Sequence, residues 1–242
     1  MKNLILKGLT GKIVRFISWF AGSRRGPVDE LEELPLVLYG LEDSGIKTTR
    51  RFVVLYSGDG GWAHLTSHLA SALQTANLPV VGIDCMRYFW GGKTAAKTGH
   101  DLGRIVDHFS KVWDCDEVVL VGYSMGADVL PGAIGFLDSG VRERIRHISL
   151  IGMSQAADYT FRFSGWLGFA PHPQKGAELL LPLIEKLSPL PVFSVCGEKE
   201  VDSLCQDIDP AISEKLILPG GHHFGGEYTQ LTEEILIRAR RP

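Results

Sequence analysis

The residues at 122–126 have types and a spacing that suit nucleophilic catalysis. They read Gly-Tyr-Ser-Met-Gly, follow an apolar run at Val118–Val121 and precede a helical pattern. A serine on a sharp strand-to-helix turn exposes its hydroxyl at the sheet edge, and the flanking glycines prevent backbone collisions in the turn. We therefore predict that Ser124 is a nucleophile and that the Met125 N–H group stabilises a developing oxyanion.

A serine hydroxyl needs a histidine to take its proton and an acid to orient the imidazole. When the nucleophile lies on a turn of this kind, the chain order is serine, acid, histidine. A late apolar run, Leu216–Leu218, leads into Pro-Gly-Gly and then His222 and His223. Either histidine can return over Ser124. We favour His222 as the base, because it directly follows the glycine pair, and His223 is the alternative.

The acid is expected just after the preceding strand, Val192–Cys196, where Glu200 and Asp202 are both eligible. Aspartate is the commoner partner, and its shorter side chain holds an imidazole more rigidly. Glu200 stands three residues after Gly197, a spacing that also suits the role. We predict Asp202 as the acid, with Glu200 as the alternative.

A glycine-rich loop at 57–62, Ser-Gly-Asp-Gly-Gly-Trp, follows an earlier apolar run. Glycines let a backbone approach a substrate closely. The Asp59 N–H group is therefore the predicted second oxyanion donor, and Gly58, Gly60 and Trp62 are predicted to face the substrate. No Gly-Lys-Ser/Thr follows, which argues against a phosphate-binding loop.

The elements that must position these residues alternate from about residue 35 onward. Short apolar runs bounded by Gly, Pro or Asp are typical of strands buried on both faces, and helical patterns lie between them. This alternation predicts an α/β fold in which helices flank a mostly parallel sheet, as in α/β-hydrolases. The predicted strands are Leu36–Tyr39, Phe52–Ser57, Val80–Asp84, Val118–Val121, Ile148–Met153, Val192–Cys196 and Leu216–Leu218. The predicted helices are Trp62–Thr75, Asp101–Trp113, Met125–Leu137, Gly176–Leu187 and Tyr228–Arg240.

Composition and charge exclude several classes of protein. The chain has 242 residues, of which 45% are hydrophobic, and a net charge of −3. These values are typical of an ordinary globular protein and give no sign of a nucleic-acid partner. No apolar run is long enough and free enough of charge to predict a spanning helix. No cofactor motif or zinc-ligand spacing is present, so we predict neither a cofactor nor a metal.

Residues 1–34 are predicted to form a basic amphipathic arm and linker that precede a hydrolase domain at 35–242. Residues 1–25 contain six basic and no acidic side chains, so the remaining chain carries −9. Ile5, Leu9, Ile13 and Phe16 share one helical face, the pattern of a helix lying in a membrane interface. We predict peripheral membrane contact through residues 1–25. The alternatives are an imperfect export signal and a helix docked on the protein's own core.

Two of the four cysteines, Cys196 and Cys205, flank the predicted acid loop nine positions apart. A disulfide between them would stiffen that loop and would suit an oxidising compartment. The alternative is that all four cysteines are buried, reduced thiols.

Six segments form an ordered combination that is more specific than any one motif: Ser57–Trp62, Arg87–Trp90, Gly122–Pro131, Trp166–Gly168, Gly197–Cys205 and Pro219–Phe224. Together they resemble the bacterial virulence protein family VirJ/AcvB. The resemblance covers roughly residues 35–238 and implies an α/β-hydrolase, the bacterial periplasm or its inner membrane, an association with type IV secretion, and hydrolysis of lysyl-phosphatidylglycerol. By position, Ser124, Asp202 and His222 take the catalytic places. Related sequences usually have Lys-Thr-Pro after the aromatic stretch, whereas Gly-Gly-Lys-Thr-Ala stands here at 91–95.

The resemblance also implies how a lipid ester would bind and react. Ser124 would attack the aminoacyl ester, phosphatidylglycerol would leave, and water activated by His222 would release the amino acid. Arg87 and Lys93 are candidates for the lipid phosphate. Tyr88 is a candidate substrate contact, although packing explains it as well. The lysyl group would need acidic contacts, for which Asp59, Asp84 and Asp128 are candidates. The alternative functions are a general esterase, lipase or thioesterase, and a non-catalytic, secretion-associated binding module.

Overall fold

A computed structural model describes residues 29–40, 50–161 and 177–241. The predicted membrane-contacting helix within residues 1–25 lies outside the described residues. Of the predicted arm and linker, the structure describes a one-turn helix, α1 (Asp29–Glu32), and the residues that lead from it into the first strand.

A seven-stranded sheet forms the centre of the described structure. Its order is β1-β3-β2-β4-β5-β8-β9, and every neighbouring pair is parallel except β1 with β3. The predicted mostly parallel sheet is confirmed. Its strands are β1 (Leu36–Tyr39), β2 (Arg51–Tyr56), β3 (Val80–Ile83), β4 (Glu117–Tyr123), β5 (Ile145–Ile151), β8 (Val192–Gly197) and β9 (Glu214–Leu218). A separate two-stranded ribbon pairs β6 (Ala156–Ala157) with β7 (Glu178–Leu179).

The central strands consist mainly of apolar residues because both faces of the sheet are covered. Along β2, Phe52 and Val54 pack into the core on one face, whereas Val53 and Leu55 pack into the core on the other. All four side chains are fully buried. A strand covered on both sides shows no alternation of polar and apolar residues, and this explains why the continuous runs predicted strands correctly.

Helices cover both faces of the sheet. α2 and α9 pack on the face that carries Val53 and Leu55, and α3, α4, α5 and α7 contribute to the opposite core. Their bounds are α2 (His64–Thr75), α3 (Cys85–Tyr88), α4 (Ala95–Val112), α5 (Met125–Ile134), α6 (Ser139–Arg142), α7 (Leu180–Glu185), α8 (Leu204–Asp207) and α9 (Thr229–Ala239). A short 3₁₀ turn spans Phe224–Gly226.

α4 begins six residues before the predicted start at Asp101. Thr94 caps it, since its side-chain oxygen accepts a hydrogen bond from the Lys97 N–H group at 3.1 Å. Its first turns contain Gly99, where an added Cβ would lie 2.3 Å from the Ala133 carbonyl oxygen. A glycine within a helical stretch weakens the helical pattern, but here it allows α4 to approach α5 closely.

The predicted helix at Gly176–Leu187 is shorter than expected. The strand β7 occupies Glu178–Leu179, and the helix α7 is confined to Leu180–Glu185. Among the helices of the described ranges, none combines the length and the apolarity needed to cross a membrane.

Candidate active site

Ser124 lies between the end of β4 and the start of α5, on a turn that only small neighbours permit. Its φ of 53° and ψ of −121° place a non-glycine residue in an unusual backbone conformation. An added Cβ on Gly122 would lie 2.4 Å from the Gly126 oxygen, and one on Gly126 would lie 2.5 Å from the Tyr56 oxygen. Both glycines are therefore required for the turn that presents the Ser124 hydroxyl.

The structure brings His222 to Ser124. Nε2 of His222 lies 2.8 Å from Oγ of Ser124, within hydrogen-bond distance. The loop after β9 carries His222 over the carboxyl end of β4, where Tyr123 stacks on the imidazole with a centroid distance of 5.4 Å. His223 points elsewhere: its Nδ1 lies 2.8 Å from the Tyr123 hydroxyl. Of the two predicted histidines, only His222 is placed to accept the proton of Ser124.

Glu200, and not Asp202, holds the other nitrogen of His222. Oε1 of Glu200 contacts Nδ1 of His222, and its Oε2 accepts a hydrogen bond from the Gly197 N–H group at 2.9 Å. The preference for Asp202 was wrong on this point. The chain turns directly after β8, with the Glu200 N–H group bonded to the Gly197 oxygen at 3.1 Å. This turn directs Glu200 towards the imidazole and leaves Asp202 exposed to solvent.

The surroundings of His222 favour its protonated form. Burial alone would lower the pKa of His222, but the hydrogen bond and negative charge of Glu200, together with Asp128 and Asp59, raise it above the ordinary 6.5. An imidazole that becomes positive when it takes a proton from serine is stabilised by the same carboxylates. The arrangement of serine, imidazole and carboxylate can therefore support attack by Oγ on a carbonyl carbon.

The glycine-rich loop lies against the nucleophile. An added Cβ on Gly58 would lie 3.2 Å from Cβ of Ser124, and the Gly61 N–H group closes a turn on the Gly58 oxygen at 3.1 Å. Asp59 lies within that turn. Met125 is the first residue of α5, where an N–H group has no partner inside the helix. The glycine-rich loop is therefore close enough to Ser124 to supply one oxyanion donor, the Asp59 N–H group. The roles of the Met125 and Asp59 N–H groups as the two donors stay predictions.

Two aromatic residues predicted to contact the substrate pack against the protein's own elements. An added Cβ on Gly82 would lie 2.1 Å from the Trp62 ring, which shows that Trp62 covers β3. Tyr88 is buried, and its hydroxyl donates to Oδ2 of Asp101 at 2.6 Å. Packing therefore accounts for Tyr88, and contact of the partly buried Trp62 with a substrate stays a prediction.

Three other residues predicted to bind substrate are accessible to solvent to different degrees. Arg87 is exposed on α3, and Gly60 is exposed at the tip of the glycine-rich loop. Lys93 is half-buried, and its Nζ lies 5.4 Å from the centre of the Tyr88 ring. Their contact with a substrate stays a prediction.

Asp128 lies one helical turn after Ser124. Its N–H group donates to the Ser124 oxygen at 3.0 Å. Its Oδ1 accepts from the Ser154 N–H group at 2.7 Å, and its Oδ2 accepts from the Ser154 hydroxyl at 3.0 Å. Burial raises the pKa of Asp128 to about 7 against the opposing effects of Ser154 and His222. Ser154 is not among the residues predicted for the site. For Asp128, the i, i+4 spacing from the nucleophile was the available signal.

A disulfide joins Cys196 at the end of β8 to Cys205 in α8. The bridge closes the loop that carries Glu200. Gln206 adds a hydrogen bond from its Nε2 to the Glu200 carbonyl oxygen at 2.9 Å. Cys85 and Cys115 are buried. Within the described parts of the chain, no group of three or more His, Cys, Asp or Glu side chains is arranged to hold a metal ion.

Comparisons with known proteins identify both the family and the fold. The family model described as bacterial virulence protein (VirJ) matches residues 50–241. No curated protein matches the chain. Among solved structures, Est1E from Butyrivibrio proteoclasticus is similar at 12% identity, with a TM-score of 0.57 over 85% of this chain and 94% of that chain.

Two further solved structures share the architecture. The esterase EaEST from Exiguobacterium antarcticum is 15% identical, with a TM-score of 0.55 over 85% of this chain and 96% of that chain. The alpha/beta hydrolase GrgF from Penicillium sp. sh18 is 13% identical, with a TM-score of 0.57 over 85% of this chain and 93% of that chain. At these identities the likeness concerns the fold, and the predicted α/β-hydrolase fold is confirmed.

Proposed function

Because the chain belongs to the VirJ family of bacterial virulence proteins, we propose that it is a serine hydrolase that cleaves an ester through an acyl-enzyme on Ser124. The observation that carries this proposal is the continuous contact from Oγ of Ser124 through His222 to Glu200. A chain that served only as a binding module would have no need for a serine, an imidazole and a carboxylate in this order.

The first half of the reaction forms the acyl-enzyme. His222 takes the proton of Ser124 through Nε2 while Oγ attacks the ester carbonyl carbon, and the oxyanion receives hydrogen bonds from the Met125 and Asp59 N–H groups. Glu200 holds the tautomer with the proton on Nδ1 and stabilises the imidazolium. When the tetrahedral intermediate collapses, His222 gives its proton to the leaving alcohol oxygen.

The second half of the reaction releases the acid. A water molecule gives a proton to Nε2 of His222 and attacks the carbonyl carbon of the acyl-enzyme. The bond to Oγ of Ser124 breaks, and the proton returns from His222 to the serine. The products are a free carboxylic acid and the enzyme in its starting state.

For the substrate, we propose the aminoacyl ester of lysyl-phosphatidylglycerol, on the resemblance to the VirJ/AcvB family. The lysyl group would be transferred to Ser124, and phosphatidylglycerol would leave. Exposed Arg87 and half-buried Lys93 are the proposed contacts of the lipid phosphate. A general ester substrate is the alternative, and it requires only the triad and the oxyanion donors.

The proposed location is the periplasm or the periplasmic side of the inner membrane. The Cys196–Cys205 disulfide supports an oxidising compartment. The basic pattern of residues 1–25 supports contact with an anionic bilayer, and a component of a secretion system is a proposed partner. Removal of residues 1–25 should then reduce co-sedimentation with anionic liposomes, whereas equal sedimentation would refute the contact.

Active-site labelling tests the hydrolase proposal. A fluorophosphonate probe should label the wild-type chain, and Ser124→Ala should abolish the labelling while circular dichroism stays unchanged. A folded wild-type chain that neither takes the label nor cleaves any ester would support the binding module instead.

A comparison of substrates tests the finer proposal. The purified chain is incubated with lysyl-phosphatidylglycerol in mixed micelles and, in parallel, with p-nitrophenyl butyrate. We expect release of lysine that depends on Ser124. Cleavage of p-nitrophenyl butyrate alone would refute the lipid substrate and leave a general esterase.

A further inference from the structure

Asp128 occupies a position from which its carboxyl group can face the acyl part of a bound ester. The hydrogen bond from its N–H group to the Ser124 oxygen, 3.0 Å, places the two residues one turn apart on the same side of α5. Four residues of helix correspond to a rise of about 6 Å. Both Ser124 and Asp128 are partly accessible to solvent. The Asp128 carboxyl group and the His222 imidazole also shift each other's pKa, as expected for groups that share one site.

The described surroundings of Asp128 provide hydrogen bonds, and the positive side chain that acts on it there is His222 in its protonated form. In the described residues, the Asp128 carboxyl group accepts two hydrogen bonds, one from the Ser154 N–H group and one from the Ser154 hydroxyl. A carboxylate offers about four acceptor positions, so roughly two remain open. In the described ranges, no lysine or arginine forms an ion pair with Asp128.

Other acidic groups increase the negative potential around this position. Asp59 acts on Asp128 across the site and opposes its ionisation. Glu178 of β7 and Asp128 both raise the pKa of Tyr159, whose buried hydroxyl donates to the Val129 oxygen at 3.1 Å. A buried charge is normally paired or neutralised. While His222 is neutral, as it must be to accept the serine proton, a cation delivered by the substrate would provide this pairing.

We propose that Asp128 binds the ammonium group next to the carbonyl of an aminoacyl ester and thereby selects aminoacyl over neutral acyl substrates. This inference rests on the proposed serine hydrolase function and deepens it. In an aminoacyl-enzyme, the α-nitrogen is separated from the carbonyl carbon by a single carbon atom. That nitrogen therefore stays close to Ser124, within the span of one helical turn, and its N–H groups fit the open acceptor positions of the carboxylate.

The position of Asp128 favours the α-ammonium of an aminoacyl group over an ammonium at the end of its side chain. A lysyl ε-nitrogen lies four carbon atoms further along the side chain and would extend past Asp128. The inference thus names the α-ammonium, which every aminoacyl ester carries, and it predicts selection for aminoacyl groups in general.

The experiment uses two esters of matching shape. L-Alanyl and isobutyryl esters of 4-nitrobenzyl alcohol differ in one group, because an ammonium in the first replaces a methyl in the second. kcat/KM is measured for both with the full-length wild-type chain and with Asp128→Asn, by chromatography of the released alcohol. The ratio of the two values is the readout. Any effect of Asp128 on His222 cancels in that ratio, because both esters use the same imidazole.

The wild-type chain should prefer the alanyl ester, and Asp128→Asn should lower the ratio about 10- to 100-fold, as expected for loss of a charged hydrogen-bond acceptor. Asparagine keeps an oxygen for the Ser154 N–H group, and a melting curve checks that the variant folds. Asp107→Asn removes the same charge from the outer surface of α4 and should leave the ratio unchanged.

Two outcomes would contradict the inference in different ways. If both esters are cleaved and Asp128→Asn leaves the ratio unchanged, the ammonium site is refuted while the hydrolase function stands. If the folded wild-type chain cleaves neither ester, the proposed hydrolase function fails, and the inference fails with it.

Discussion

The way in which the chain leaves β8 decides which carboxylate meets His222. The turn from Gly197 to Glu200 directs the Glu200 side chain back towards the end of the strand, where its second oxygen accepts the Gly197 N–H group. Asp202 lies two residues further and faces solvent. The imidazole is therefore oriented by the residue nearer the strand, whose longer side chain spans the gap.

Glu200→Gln should lower kcat by about 10³- to 10⁴-fold, because the charge that stabilises the imidazolium is removed. Asp202→Asn is the matched control and should change kcat by less than about twofold, as expected for an exposed side chain. Ester hydrolysis by both purified variants gives the comparison. The reverse order of effects would return the role to Asp202.

The pH dependence provides a second readout for the same residue. His222 must be neutral to accept a proton, and its pKa is raised above 6.5 chiefly by Glu200 against the opposing effect of burial. In the wild-type chain, kcat/KM should therefore rise with pH around a midpoint above 6.5. Glu200→Gln removes the raising cause, so its midpoint should move to lower pH. An unmoved midpoint would contradict the assigned contact.

Individual site residues could be predicted from the sequence where a local rule fixes the geometry of the backbone. Ser124 was identified because the flanking glycines and the strand-to-helix context leave one conformation for the turn. His222 followed from its loop. The acid was mispredicted because the choice depends on a turn and on hydrogen bonds within the loop, and neither is visible in residue types. Ser154 has no local signal, since it meets Asp128 only through the packing of β5 beside α5.

At the scale of elements, the disulfide fixes the segment between β8 and α8. Cys196 and Cys205 are both fully buried and enclose the turn that carries Glu200. A cross-link over so few residues restricts the unfolded chain and contributes about 2–3 kcal/mol to the free energy of unfolding.

The double variant Cys196→Ala/Cys205→Ala should lose about 2–3 kcal/mol of unfolding free energy, measured in urea under oxidising conditions. Dithiothreitol should destabilise the wild-type chain by a similar amount and leave the double variant unaffected. Equal midpoints for the wild-type chain with and without the reductant would show that the bridge contributes nothing to stability.

The elements themselves were predictable to different degrees. Apolar runs identified all seven strands of the main sheet. In the inner strands, burial on both faces leaves a continuous signal. The start of α4 was missed, since Gly99 serves its contact with α5 rather than the helix itself. The ribbon of β6 and β7 was missed because two-residue strands have no periodicity to detect. The antiparallel pairing of β1 with β3 depends on strand order, which the runs do not encode.

At the scale of the whole molecule, His147 makes stability depend on pH. It lies buried in β5, and within the described residues its Nε2 has no hydrogen-bond partner. Burial, with smaller effects from Arg238 and Arg241, lowers its pKa from 6.5 to about 4. Between these two values the unfolded chain binds a proton that the folded chain does not. The stability of the fold is therefore lost as the pH falls from 6.5 towards 4.

The difference between the two pKa values corresponds to a change of about 3 kcal/mol in the free energy of unfolding once the pH has passed through both values. His147→Gln removes the titrating group. Between pH 7 and pH 4, the free energy of unfolding of the wild-type chain should therefore fall by about 3 kcal/mol more than that of the variant. Urea unfolding at a series of pH values measures the difference, which does not depend on how stable the variant is at pH 7. Parallel stability curves for the two proteins would contradict the assignment.

The position of β9 has a consequence for the temperature at which the proposed hydrolase activity is lost. In the described part of the chain, β9 forms one edge of the sheet and has β8 as its single strand partner, yet the loop that leaves it carries His222. Local opening usually starts at such weakly held edges. Fraying of β9 would separate the base from Ser124 while the central strands stay packed. Ester hydrolysis should therefore stop at a lower temperature than the one at which the core unfolds. The upper temperature limit of the proposed activity would then be set by one strand at the edge of the sheet.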